Sequence, residues 1–500
     1  MSAAIDPVTL QVLAGGLRAV CEEMGAVLIR SSFSPNIKER RDCSTALFDA
    51  DGELVMQAEH IPVHLGSMPD AVAAILGEEQ REGDLWVLND PYRGGTHLPD
   101  ITLITPIFSG ELLGFAACRA HHTDIGGPTP GGMPPDSTTL DEEGVVISPR
   151  RIDEDGMREL AARMRQPEQR LADLRAQRAA NLTGRRRLLE LADRHGLDEL
   201  RAGMSEILDY AERRTRAALN EAPDGTGEAT DVLEGRDGDL ELRVRAELAG
   251  DELLLDFAGT AEQIAGNLNC PVSVTKSAAF YAVKVLFDPD GPPSAGCWRP
   301  VEVRAPEGCL LNAQPPAGVA AGNVETSSRV ADLVFEALSA LVDAPAQGQG
   351  TMNNLVLAAE GFTYYETTGG GQGACAGADG PSAIHVAMSN TLNTPVEALE
   401  AEYPLRVREL SVRRDSGGDG ERRGGDGIAR EIEALAPMQM SLIAERRRHA
   451  PRGRKGGENG ALGRDTLNGE PIEAKSTHEL SPGDRVRIET PGGGGYGSGA

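Results

Sequence analysis

Five hundred residues exceed what one hydrophobic core holds, so roughly two to four structural units are expected. Hydrophobic residues make up 40% of the chain and charged residues 25%, the balance of an ordinary globular protein. The net charge of −28 repels phosphate backbones and anionic lipid, which argues against nucleic acid and membrane surfaces as partners.

The N-terminal MSAAIDPVTLQVL carries no basic leader and no run of 18 apolar residues follows anywhere, so neither a secretion signal nor a membrane span is expected. Asp6-Pro7 reads as an N-cap followed by proline in the first turn, and Leu10, Leu13, Leu17, Cys21, Met24 and Leu28 recur at helical spacing, predicting a helix over 7–30. Asp51-Gly52 between two apolar runs predicts a hairpin. Trp86-Val87-Leu88 reads as a short buried strand, and residues 101–108 and 111–120 flank Ser109-Gly110 as a second hairpin. Residues 157–220 turn rich in Arg, Leu, Ala and Glu, which predicts two or three helices broken near His195-Gly196. Alternation returns at 240–248 and 253–257, helices follow at about 276–287 and 328–343, and the last hundred residues read as glycine-punctuated strands. The fold class expected is α+β, with mixed, largely antiparallel sheets, a helical insertion and a β-rich C-terminal region. The corresponding units are 1–152, 153–222, 223–400 and 401–500. Seven scattered cysteines without a CxxC spacing indicate neither a zinc ribbon nor a disulfide framework, and fit reduced thiols in the cytoplasm.

Histidines are unevenly placed. Five of nine (His60, His64, His97, His121 and His122) fall within residues 60–122, about an eighth of the chain, interleaved with Glu39, Asp42, Asp90, Asp100 and Asp124. Imidazoles and carboxylates in one neighbourhood are what a borderline divalent ion requires, because each offers a lone pair and the carboxylates offset the charge. With Ser109-Gly110 as a two-residue turn, His97 falls opposite His122 and Asp100 opposite Arg119. Opposed residues on one face bring their Cβ atoms to about 4.5–5.5 Å, so strand parity selects His122 over His121, and Pro99 lets a bent loop swing Asp100 inward. A register slip would overturn this pairing. Taken singly, each histidine is better explained as capping a loop or satisfying buried backbone; as a set, His97, Asp100 and His122 read as a metal site.

Ten segments in order resemble the hydantoinase B / 5-oxoprolinase family: SPNIKERRDCSTALFDADGELVMQ (34–57), HIPVHLGSMP (60–69), NDPYRGGTHLPDIT (89–102), HHTDIGGPTPGGMP (121–134), DFAGTAEQIAGNLN (256–269), NVETSSRVADLV (323–334), QGTMNN (349–354), YYETTGGGQGA (364–374), NTLNTPVE (390–397) and TPGGGGYG (490–497). The resemblance implies a subunit of a hetero-oligomer that works beside a larger hydantoinase A-type ATPase, which binds ATP and uses it to activate an amide or carbonyl oxygen. It maps the family's metal ligands by motif onto His97 and Asp100 of THLPD and His122 of HHTD, with Glu39 of NIKER as a fourth. The metal expected is divalent: Zn, Mn or Fe. The segment SAIHVAMSN around His385 departs from the family's usual threonine- and histidine-rich version, so the resemblance gives His385 no role.

Independent of any likeness, the sequence holds no GxxxxGK[ST], which fits ATP being bound by another chain. The expected chemistry is metal-assisted hydrolysis of a small cyclic amide (hydantoin, 5-oxoproline or a related lactam), with Asp124 and His121 as catalytic candidates that orient a ligand or accept a proton. Asp124 is as readily a cap for the Gly126-Gly127 turn. Two other classes stay open: a ketone carboxylase subunit, against which the chain's shortness weighs, and a non-catalytic assembly subunit with a structural metal.

Overall fold

The computed structural model describes residues 5–59 and 61–499; His60 lies outside the described residues. Helix α1 (Pro7–Ser31) starts where the Asp6 carboxylate accepts the backbone N–H groups of Val8 and Thr9, and it buries Leu10, Leu13, Leu17, Cys21, Met24 and Leu28, the stripe its periodicity requires. A short helix, α2 (Pro35–Lys38), leads into β1 (Cys43–Asp49) and β2 (Leu54–Glu59). The Asp49 carboxylate closes that hairpin by accepting from the N–H groups of Asp51 and Glu53, with Gly52 at φ 82°. Helix α3 (Ser67–Leu76), β3 (Trp86–Leu88), β4 (Asp100–Ser109), β5 (Glu111–His121) and β6 (Arg150–Arg151) complete a wholly antiparallel sheet of order β2-β1-β5-β4-β3-β6.

The β4–β5 hairpin departs from the two-residue turn. Ser109 pairs with Glu111 around Gly110 at φ 79°, and a bulge between Ile107 and Phe108 shifts the register again. Beyond the bulge Asp100 lies opposite His121, and Arg119 opposite Thr102.

Helices α4 (Glu154–Ala162), α5 (Pro167–His195) and α6 (Leu197–Glu221) follow, the last two parted at Gly196, whose φ is 90°. They share the apolar interior of α1 and the first sheet. Gln177 and Asn181 of α5 donate side-chain N–H groups to the carbonyls of Ile101 and Leu103. One face of the sheet is therefore sealed by α5.

Next come β7 (Gly225–Glu234), β8 (Asp239–Ala249), β9 (Glu252–Asp256), α7 (Val272–Phe287) and β10 (Val301–Arg304), which form a sheet of order β10-β9-β8-β7 with β10 parallel to β9. A π-helical turn, Gly322–Thr326, runs straight into α8 (Ser327–Leu338). It crosses so close to neighbouring backbone that a Cβ on Gly322 would lie 1.8 Å from the Asn269 carbonyl oxygen.

The C-terminal part contains β11 (Asn354–Ala359), β12 (Phe362–Glu366), α9 (Val396–Glu402), β13 (Leu405–Arg413), β14 (Gly427–Ala434), β15 (Met438–Ile443), β16 (Arg464–Leu467), β17 (Glu470–Pro471), β18 (Lys475–Leu480) and β19 (Arg485–Glu489). They form sheets of order β12-β11-β15-β18 and β13-β14-β19-β16-β17. The class is α+β with mostly antiparallel pairing. The glycine run 492–495 passes between other backbone segments: a Cβ on Gly493 would meet the Gln372 carbonyl oxygen at 2.1 Å, and one on Gly494 that of Arg452 at 2.2 Å. These glycines serve backbone crossing. Among the described residues, no helix is long and apolar enough to cross a membrane.

Candidate metal centre

Where β4 and β5 end, three donor atoms converge. His97 Nε2 and His121 Nδ1 each stand 3.3 Å from Asp100 Oδ1 and 3.2 Å from one another. Asp100 and His121 meet because the observed register sets them directly opposite on one face. His97 precedes β4: the Asp100 N–H donates to the His97 carbonyl, closing a turn that carries the imidazole back over the strand end. All three residues are buried.

The other oxygen, Asp100 Oδ2, is held from behind. Thr96 Oγ1 donates to it at 2.6 Å and His64 Nε2 stands 3.4 Å away, while His64 Nδ1 reaches Ser44 Oγ at 2.9 Å. The Ala320 carbonyl lies 3.5 Å from His97 Nδ1, which favours the tautomer with a lone pair on Nε2. The His121 ring stacks on Tyr365, centroids 4.8 Å apart and planes 12° off parallel.

Electrostatics follow from this packing. Burial works against the Asp100 carboxylate, yet His97, His121 and His64 together hold its pKa well below the usual range. Burial likewise opposes a charged His97, but the Asp100 charge prevails and raises it. His64 is lowered, chiefly by burial.

The donor set fits a metal. Atoms about 2.1 Å from a common ion stand roughly 3.0–3.4 Å apart at octahedral to tetrahedral angles, and the three spacings here are 3.2, 3.3 and 3.3 Å. The cavity beside them measures about 20 Å³, the room of a single water-sized group. Its wall includes Asp42, Asn323, Val324, Tyr365, Thr367, Ser389 and Thr391, so the first sheet, the π-helical turn and the segment after β12 all meet there.

The structure brings His97 and Asp100 together, and His121 rather than His122 with them. Strand alternation turns His122 to the face covered by α5, where its Nε2 meets Gln177 Oε1 at 2.9 Å and burial, the largest cause, pushes its pKa down to about 4. Strand parity points to His122 only if His97 lies on the strand, whereas the ladder begins at Asp100. Glu39 caps the C-terminal end of α2 and does not line the cavity. Asp124 also stands apart: its oxygens accept the N–H groups of Gly126 and Gly131 and the Thr363 hydroxyl, and they pair with Arg165. It is the turn cap that the glycines after it required. Sequence reading gave His64 no role and missed Thr96 entirely, although the spacing from Thr96 to Asp100 within THLPD holds the signal.

A mixed α+β chain with a buried imidazole–carboxylate centre between two sheets defines the class of protein. The family described as Hydantoinase B/oxoprolinase matches residues 6–499, and the chain belongs to that family. A protein of Methanocaldococcus jannaschii is 39% identical over 99% of this chain and 91% of its own length. The 5-oxoprolinase of Dictyostelium discoideum is also 39% identical over 99% of this chain, which spans only 40% of that relative's length. Among solved structures, the ATP-dependent caprolactamase from Pseudomonas jessenii superposes with a TM-score of 0.92 at 31% identity, covering 99% of this chain and 92% of that one. Acetone carboxylase superposes at 0.89 with 19% identity over 98% of this chain and 76% of that one, a likeness of fold alone.

Proposed function

We propose that this chain is the metal-containing subunit of a cyclic amidohydrolase that opens a hydantoin, 5-oxoproline or related lactam ring, with ATP bound by a separate hydantoinase A-type subunit. The observation that carries the reading is the convergence of His97 Nε2, Asp100 Oδ1 and His121 Nδ1 within 3.3 Å of one another. Relatives named for lactam hydrolysis support the reaction class, and the missing P-loop motif supports a second chain for the nucleotide. Scattered cysteines without a CxxC spacing support a cytoplasmic setting.

His97, Asp100 and His121 would hold a divalent ion: Zn, Mn or Fe. Bound there, such an ion supplies Lewis acidity toward an oxygen of the substrate. Thr96 and His64 fix Asp100 Oδ2 so that Oδ1 keeps facing the imidazoles, and the Ala320 carbonyl fixes the His97 ring. Burial excludes bulk water from all of these groups, so their charges act at full strength.

The test combines elemental analysis of the purified chain with an ATP-hydrolysis screen across cyclic amides, with and without the partner subunit and bicarbonate. The expected result is about one divalent ion per chain and lactam-dependent ATP hydrolysis only with the partner. Metal-free protein at full activity would remove the proposal, and bicarbonate incorporated into a ketone would replace hydrolysis by carboxylation.

A further inference from the structure

Across the cavity from the three metal-facing groups, the wall is built from hydroxyls. Thr367, Ser389 and Thr391 line it. Behind them lies Arg40, fully buried. Its NH2 donates to Thr367 Oγ1 at 2.7 Å and Thr391 Oγ1 at 3.3 Å, its NH1 donates to the Tyr365 carbonyl at 3.1 Å and Asn36 Oδ1 at 3.4 Å, and its Nε finds no partner. Asp42 makes only a long ion pair with it at 3.9 Å, beyond hydrogen-bond reach, and the guanidinium Cζ lies 5.0 Å from the centroid of the Tyr365 ring. Glu366, the next acidic group, is committed to Arg430, Tyr364, Asn393 and the Thr394 N–H. With no carboxylate in direct hydrogen-bond contact, this buried guanidinium keeps positive charge to offer an anion in the cavity.

The hydroxyls form a chain with His385. Thr367 Oγ1 meets Thr391 Oγ1 at 3.0 Å, Thr391 Oγ1 meets His385 Nε2 at 3.3 Å, and His385 Nδ1 meets Ser389 Oγ at 2.7 Å. A neutral imidazole and three hydroxyls carry four protons between them, and these three contacts consume three. The surplus cannot rest on Thr391, whose oxygen would then accept from Thr367, His385 and Arg40 with only two lone pairs. Nor can it rest on the imidazole, which would need both nitrogens as acceptors and a proton as well. It therefore surfaces on Thr367 or Ser389, the two ends of the chain, and both line the cavity. Among the described residues neither hydroxyl has another acceptor within reach.

We propose that this wall is a binding site for an oxyanionic group of the ligand, carboxylate or phosphoryl, which accepts the surplus proton from Thr367 or Ser389 while Arg40 supplies the opposing charge. The cavity admits one oxygen of that group as it stands. A role for Ser389 as a nucleophile with His385 as its base is disfavoured: burial, then the Arg40 charge, push His385 down to about 4, so the imidazole resists taking a proton. The wall donates; it does not abstract.

The inference concerns the cavity already described but stands on the hydroxyl chain, not on the ion, and its test is run without metal. The full-length chain, dialysed exhaustively against chelator, is titrated with acetate and separately with inorganic phosphate at constant ionic strength. Calorimetry and the thermal midpoint are read together. Saturable binding is expected, at least tenfold weaker in Thr367→Val/Ser389→Ala and in Arg40→Met, each with native circular dichroism. Tighter acetate marks a carboxylate ligand and tighter phosphate a phosphoryl one. No saturable binding to the wild type, or equal affinity in both variants, overturns the proposal and leaves the metal reading untouched. Loss of the ion in His121→Ala with anion binding retained supports both readings and shows that they rest on separate residues.

Discussion

His121 and His122 are neighbours with opposite fates, and that makes them the sharpest residue-scale test of the site. His121→Ala removes one of three converging donors, so bound metal is expected to fall from about one per chain to near zero. His122→Ala is expected to keep its metal while losing about 2 kcal/mol of stability, since the Gln177 amide oxygen loses its partner in a buried setting. Metal content and unfolding midpoints of the two variants decide the matter; metal lost from His122→Ala would restore the strand-parity assignment. Glu325 gives a pH signature. One of its oxygens accepts from the Met352 N–H and the Asn354 amide, the other has no partner, and burial, the leading cause, raises its pKa to about 7. The folded state thus holds this proton more tightly than the unfolded one. Its contribution is full at low pH and falls away from the unfolded carboxyl value up to about 7. Glu325→Gln should flatten that slope by up to about 3 kcal/mol, read as the difference between wild-type and variant unfolding free energies from pH 4.5 to 8. Parallel curves would show that Glu325 titrates normally.

At the scale of elements, two glycines separate conformational from steric need. Gly110 has a positive φ of 79° but open space where a Cβ would go, so Gly110→Ala should cost about 1 kcal/mol. A Cβ on Gly494 would lie 2.2 Å from a backbone oxygen that cannot swing aside, so Gly494→Ala should cost about 3 kcal/mol or more. Chemical denaturation of both variants measures the gap, and equal costs would refute the close-crossing account. The same contrast explains what the sequence disclosed. Helix α1 and the break at Gly196 were legible because cap, proline and apolar spacing are local signals. The β4–β5 register was not, because a bulge leaves no mark in an alternating apolar pattern. Together with the tighter turn at Gly110 it moved Asp100 from opposite Arg119 to opposite His121. A two-residue shift keeps parity, so the exchange of His122 for His121 comes from His97, which precedes the ladder. The hydroxyl wall was beyond reach for another reason: Arg40 meets Thr367 and Thr391 across more than three hundred residues, and nothing local ties it to them.

Considered whole, the molecule buries the three donor groups beneath several elements. His97, Asp100 and His121 are at most 3% exposed, and the cavity beside them holds one water-sized group. The opening is narrow beside a molecule the size of a chelator, so a lodged ion is released to it only as the surrounding walls part. Stripping by a large excess of chelator should therefore proceed at a rate that plateaus with chelator concentration, set by the protein's own breathing. The plateau should rise in Met388→Ala, which thins the cover. A stripping rate proportional to chelator at all concentrations would mean the doorway is already ajar. Kinetic imprisonment of this kind would leave the cofactor's identity to whatever was at hand when the chain folded, and not to later competition among ions.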